Sequence, residues 1–181
     1  RGADGDVQFL RWGNSGGLPV IVLAPVDVAD CFVLTMHAFN LAEEFRCPVF
    51  IASNKEIAMT KESFDPDTIK RPAIIDRIQS KEEKFFPFEV KEGCMVPQFL
   101  PIGGKTLVRQ TSSTHGDDGY ITTDYKVISR FQNRLKNKIQ SAGGSFAFHE
   151  SFIEEEADTL IITYGVTART AKTVFAEQKK L

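Results

Sequence analysis

Four short stretches of this chain carry residue types at spacings that could do chemistry. Gly13-Asn14-Ser15-Gly16-Gly17 has the Gly-x-Ser-x-Gly form of a nucleophile loop. A hydrolase elbow needs a strand before the serine and a helix after it; here a helix-like segment precedes and a strand-like one follows, so a glycine-rich turn is the better reading. In the trypsin-like order the His and Asp lie well upstream, and only 14 residues precede Ser15. Gly103-Gly104-Lys105-Thr106 matches the end of a phosphate loop. However, Phe99 stands where the first glycine belongs, and no helix follows to lend its N-terminal dipole and backbone donors. His115-Gly116-Asp117-Asp118-Gly119 gathers an imidazole and two carboxylates, enough in type for proton exchange or a divalent cation. Ligands packed this closely along the chain rarely converge on one ion, and a tight turn with Asx-type hydrogen bonds and a positive-φ glycine is expected instead. Tyr164-Gly165-Val166-Thr167-Ala168-Arg169 puts a glycine turn where open α/β sheets bind anions, but one glycine is a weak signal and simple helix capping by Thr is the better reading.

The remaining reactive types are sparse. His37 falls inside a helical pattern and His149 among aromatics, both structural readings. Cys31, Cys47 and Cys94 are odd in number and widely spaced, with no Cys-x-x-Cys, which reads as reduced thiols.

The elements that must position these residues follow from hydrophobic period and punctuation. Val20 to Ala24 is a short apolar run closed by Pro25, the pattern of a strand buried on both faces. Asp27 can cap a helix in which Val28, Cys31, Phe32, Thr35, Ala38, Phe39, Ala42 and Phe45 recur at three- and four-residue spacing, ending near Arg46. Pro48 to Ser53 supplies a second buried strand, so residues 20–53 predict a right-handed parallel βαβ unit. Asp6 to Trp12 reads as a short helix before it. Between Thr60 and Thr123 five prolines interrupt any βα alternation. Phe85-Phe86-Pro87-Phe88 is nevertheless too apolar for a solvated linker, and Thr106 to Thr111 could be a strand, so an ordered, packed excursion is expected. Asp124 opens a second long helix with Val127, Ile128, Phe131, Leu135 and Ile139 on one face, stopped by Gly143-Gly144. Thr159 to Tyr164 reads as a further buried strand and residues from about Thr167 as its following helix.

Composition bounds the class. The chain has 181 residues, 42% of them hydrophobic, 22 basic against 24 acidic, and 15 Phe. At this length folding buries roughly 70% of the unfolded surface, enough for a core without disulfides or a metal. A formal net charge of -2 with interspersed signs gives no field for nucleic acid. No apolar run approaches the roughly 20 residues needed to span a bilayer, and no secretory signal is legible, so a cytoplasmic location is expected. The chain starts on Arg1 and closes in what reads as the middle of a helix, as part of a longer protein would.

Taken in chain order, several segments resemble the alpha subunit of the 2-oxoacid:ferredoxin oxidoreductases, most closely the 2-oxoglutarate type. They are Gly5-Asp6-Val7-Gln8-Phe9 with Gly13, Ile21-Val22-Leu23-Ala24-Pro25, and Ala38-Phe39-Asn40-Leu41-Ala42-Glu43 leading to Pro48-Val49. Thr114-His115-Gly116-Asp117-Asp118-Gly119-Tyr120 before a basic helix with Arg134 and Lys138, and Ala157 to Gly165, complete the series. The resemblance implies oxidative decarboxylation of a 2-oxoacid with coenzyme A, giving an acyl-CoA, carbon dioxide and two electrons for ferredoxin, with thiamine diphosphate as the working cofactor. It also implies a beta-type partner subunit holding magnesium and the diphosphate, with iron–sulfur clusters there or in further subunits. The family's Pro-Ile-Thr-Pro segment and activating glutamate would lie upstream of Arg1, so the chain alone is expected to be inactive.

On this alignment the fold is α/β. Residues 1–55 close a parallel-sheet pyrimidine domain, residues 56–156 are a connecting excursion, and residues 157–181 start a second α/β domain. Arg1 and Arg11 are the residues the resemblance offers for bidentate pairing with a substrate carboxylate, with surface ion pairs as the competing reading. Asp6 and His115 are those it offers on the cofactor side. The alternative from another class is a non-catalytic α/β interaction module supporting a partner; a third is an anion or nucleotide binder using the turn after Tyr164.

Overall fold

The computed structural model describes residues 5–14 and 17–178, and its elements follow the order α1 (Gly5–Trp12), β1 (Ile21–Leu23), α2 (Val28–Phe45), β2 (Val49–Ile51), α3 (Lys55–Met59), α4 (Tyr125–Gln140) and α5 (Gly165–Gln178). Single 3-10 turns occupy Pro66–Thr68 and Gly143–Ser145. Among the described residues no helix is long and apolar enough to cross a membrane.

The βαβ unit forms as its pattern predicts. The β1 and β2 strands pair in parallel, with Ile21 opposite Val49, Val22 opposite Phe50 and Leu23 opposite Ile51. Between them α2 starts where Asp27 accepts from the Asp30 N–H at 2.8 Å, while the Asp30 carboxylate takes the Val26 N–H at 3.2 Å. The first of these bonds satisfies a donor that the first helical turn leaves unpaired, and the second ties the residue before the cap to that turn. Asp27→Ala is therefore expected to cost about 1 kcal/mol in a denaturant melt, against a few tenths for Asp27→Gly. The helix ends on Arg46, a non-glycine residue in the left-handed region at φ 45°, and Pro48 prevents its resumption.

The core gathers Ile21 and Leu23 of β1, Leu34, Leu41 and Phe45 of α2, and Ile139 near the end of α4, with Cys47, Val49 and Phe146 packed against them. The expected face of α4 thus reaches the core at its last turn. Asp124 caps this helix by accepting from the Lys126 N–H at 2.8 Å. It closes on Ser141, two residues before the glycines that were expected to stop it.

Four expectations change. The strands are not buried on both faces: Ile21 and Leu23 are covered, whereas Val22 is 39% exposed and Ile51 36%. Successive strand residues face opposite ways, and among the described residues the core lies on one side only. Thr159 to Tyr164 forms no ladder, and Leu160, Ile161 and Ile162 are 76–85% exposed. A strand exists only with a neighbour to take its N–H and C=O groups, and no described segment offers one. Thr106 to Thr111 forms no strand either. The last helix begins at Gly165, slightly ahead of Thr167.

The excursion is ordered by point attachments rather than by a continuous sheet. It contains an isolated parallel bridge between Gln79 and Phe99 and an antiparallel one between His115 and Ile121.

Candidate functional site

Parallel strands direct their carboxyl ends toward the loops that build α/β sites. At that end Pro25 is fully buried, Asp27 caps α2, and Asn54 caps α3 by accepting from the Ile57 N–H at 3.0 Å. The turn at Gly165, φ 62°, comes up against the same place, where a Cβ on this glycine would stand 3.8 Å from the Pro25 carbonyl oxygen. From near the start of α5, Arg169 forms an ion pair with Glu62 at 2.9 Å. The open crevice here holds about 50 Å³, with Asp27, Glu56, Ile57 and Arg169 in its wall. The glycine turn after Tyr164 therefore does sit at a strand's carboxyl end, but at that of β1. Its one arginine there is already paired.

A larger cleft of about 170 Å³ opens between the last turn of α2 and residues 75–78 and 91–98. Its walls are held by side chains of α2. Asn40 donates its amide to the Ala73 carbonyl at 2.7 Å and accepts the Ile75 N–H at 3.0 Å, standing in for a neighbouring strand. Glu43 binds Arg77 through two nitrogens, and the Arg77 guanidinium lies 4.8 Å from the Phe99 ring centre. Arg46 Nη1 donates to the carbonyls of Pro97 and Gln98, each at 3.0 Å. The Ala38 to Glu43 motif is thus partly a clamp on the excursion. Asn40→Ala should loosen it, with a stability loss of about 1 kcal/mol for these solvent-accessible bonds and faster amide exchange at Ile75.

Burial shapes the electrostatics here. The Arg46 guanidinium is held below its ordinary pKa by desolvation and then by Arg77. Arg134 is lowered chiefly by desolvation and donates to the Met95 carbonyl at 2.9 Å. Lys138 is 5% exposed, and desolvation pushes its ammonium down. Burial pushes the neighbouring Cys47 thiol up, the opposite of an activated nucleophile.

The proposed site residues occupy different settings. Arg1 lies outside the described residues, as does Ser15. Asp6 and Arg11 are exposed on α1, a helix with no buried residue, and the Arg11 guanidinium sits 4.3 Å from the Trp12 ring centre. His115 is 5% exposed, between Phe88 at 3.7 Å and Phe131 at 4.6 Å, with Nδ1 2.9 Å from the Gly116 carbonyl oxygen. No hydrogen bond or ion pair among the described residues joins Asp6, Arg11 and His115.

The turn after His115 has the form that its glycines and carboxylates predict. The Gly119 N–H donates to the Gly116 carbonyl at 3.1 Å, and Asp118 accepts from the Tyr120 N–H at 2.9 Å. Gly119 has φ 81°, and a Cβ there would meet the Arg109 carbonyl oxygen at 3.2 Å. Asp117 pairs with Arg130 of α4 at 2.8 Å. Both carboxylates are thereby engaged with the fold, and among the described residues no three His, Cys, Asp or Glu side chains are grouped to hold a metal ion. Sequence reasoning missed Asn40, Glu43, Arg46 and Lys138 as anchors. Their partners are mostly main-chain groups tens of residues away, which leave no mark in local spacing.

Comparison with known proteins gives a consistent result. Residues 1–133 match the family model described as pyruvate flavodoxin/ferredoxin oxidoreductase, thiamine diphosphate-binding. The chain is 30% identical over 175 residues to 2-oxoglutarate synthase subunit KorA of Methanothermobacter thermautotrophicus, covering 93% of this chain and 45% of that protein. It is 29% identical over 174 residues to the same-named subunit of Methanocaldococcus jannaschii, covering 94% and 45%. A third relative, the alpha subunit of 2-oxoacid:ferredoxin oxidoreductase 1 of Sulfurisphaera tokodaii, is 29% identical over 193 residues, 98% of this chain and 29% of its own length. The chain therefore spans less than half the length of these curated relatives.

Proposed function

The chain belongs to the pyruvate flavodoxin/ferredoxin oxidoreductase thiamine diphosphate-binding family, and from that membership we propose that it is part of the alpha subunit of a 2-oxoacid:ferredoxin oxidoreductase acting on 2-oxoglutarate. The reaction is oxidative decarboxylation: the 2-oxoacid and coenzyme A give an acyl-CoA and carbon dioxide, and two electrons pass to ferredoxin. The observation that carries this reading is the match of residues 1–133 to the family model, with relatives named for this chemistry aligned over more than nine-tenths of the chain.

Thiamine diphosphate, when bound, supplies the carbanion chemistry. The described residues do not by themselves make a site for its diphosphate. A diphosphate needs convergent donors or a metal, whereas Arg46, Arg134 and Lys138 donate to main-chain carbonyls and no metal-binding group is assembled among the described residues. We place the diphosphate, its magnesium and the iron–sulfur clusters on a beta-type partner subunit and in further subunits, in the cytoplasm. Asp6 and His115 are proposed on the cofactor side, and Arg1 and Arg11 as the cations for the substrate carboxylate. Residues 1–55 are proposed as the close of the pyrimidine domain, 56–156 as the connection, and 157–181 as the start of a second α/β domain, whose strands would cover Leu160 to Ile162.

The test is an anaerobic pull-down of the parent protein from its host, assayed for viologen reduction with 2-oxoglutarate and coenzyme A and, in parallel, with pyruvate and branched 2-oxoacids. Thiamine diphosphate-dependent activity in a complex with a beta-type subunit is the expected result, highest with 2-oxoglutarate. Preference for another oxoacid would replace the substrate alone. A lone, colourless, inactive protein would replace the whole reading with a non-catalytic interaction module.

A further inference from the structure

We draw no further inference here: the strongest candidate, the cluster of half-buried and buried cations Arg46, Arg134 and Lys138 around the end of α2, is already engaged by the carbonyl oxygens of Phe45, Arg46, Met95, Pro97 and Gln98, and nothing in the structure shows what would cover its remaining charge.

Discussion

Replacing Lys138 with methionine is expected to lower the stability of the protein by about 2–3 kcal/mol. The side chain of Lys138 is buried, and its Nζ donates to the Phe45 carbonyl at 2.5 Å and more weakly to the Arg46 carbonyl at 3.4 Å. These are oxygens at the end of α2, where a helix leaves its last carbonyls unpaired and carries its negative pole. Methionine keeps the apolar stem, so the loss isolates the ammonium and its hydrogen bonds from packing. The desolvation that depresses the lysine pKa offsets part of the benefit of the charge, which is why the figure stays below that for breaking a fully buried ion pair. Urea melts of the two proteins would settle it; a difference under about 0.5 kcal/mol would mean that water replaces the ammonium at no cost.

Truncating Phe45 to alanine should cost more, about 3–5 kcal/mol, because it removes a large core side chain and leaves a cavity that the neighbours only partly fill. Phe45 is 7% exposed, packs with Ile21, Leu23, Leu41 and Ile139, and meets the Phe146 ring edge-to-face at 5.3 Å. Phe39, on the same helix, is 71% exposed, so Phe39→Ala should stay within about 0.5 kcal/mol and serves as the control. A loss equal to that of the control would show that α2 does not close the core through this ring. Phe45→Ala keeps the main-chain carbonyl that accepts from Lys138, but the cavity it opens adjoins that carbonyl, so a shift of the helix end would make the double variant depart from the sum of the single ones.

Both predictions depend on residue 138 or 146 returning to the end of a helix near residue 45, and that return was not readable from the chain. What was readable is local. Asp27 and Asp124 announce their helices because a capping carboxylate reaches an N–H only two or three residues on, and both make that bond. The apolar recurrence from Val28 to Phe45 specifies a helix because side chains three and four apart share a face. Two apolar runs flanking it specify a parallel pair, since a crossover of that length returns the chain in the same direction. Gly119 was legible as a turn glycine for the same kind of reason.

His115 shows where such reading stops. Its spacing to Asp117 and Asp118 predicts a turn, which forms, but not that the imidazole lies between two phenyl rings while the carboxylates bond Arg130 and the Tyr120 N–H. Sequence distance decides which groups can meet, and the direction of each side chain is set by what packs on either side of it.

The sequence by itself determined the βαβ unit, the two capped helices, the turn at Gly119 and the family, because each rests on hydrogen bonds, sterics or motif order within short reach along the chain. Only the tertiary structure decided that Lys138 caps a helix 93 residues earlier, that Arg46 holds carbonyls 51 and 52 residues on, and that Asn40 pins Ala73 and Ile75. It also decided that Val22 is left uncovered and that Leu160 to Ile162 lack a neighbour among the described residues. Those outcomes depend on which surfaces meet after the chain has folded back on itself, and a carbonyl oxygen awaiting a distant donor has no residue type to reveal it.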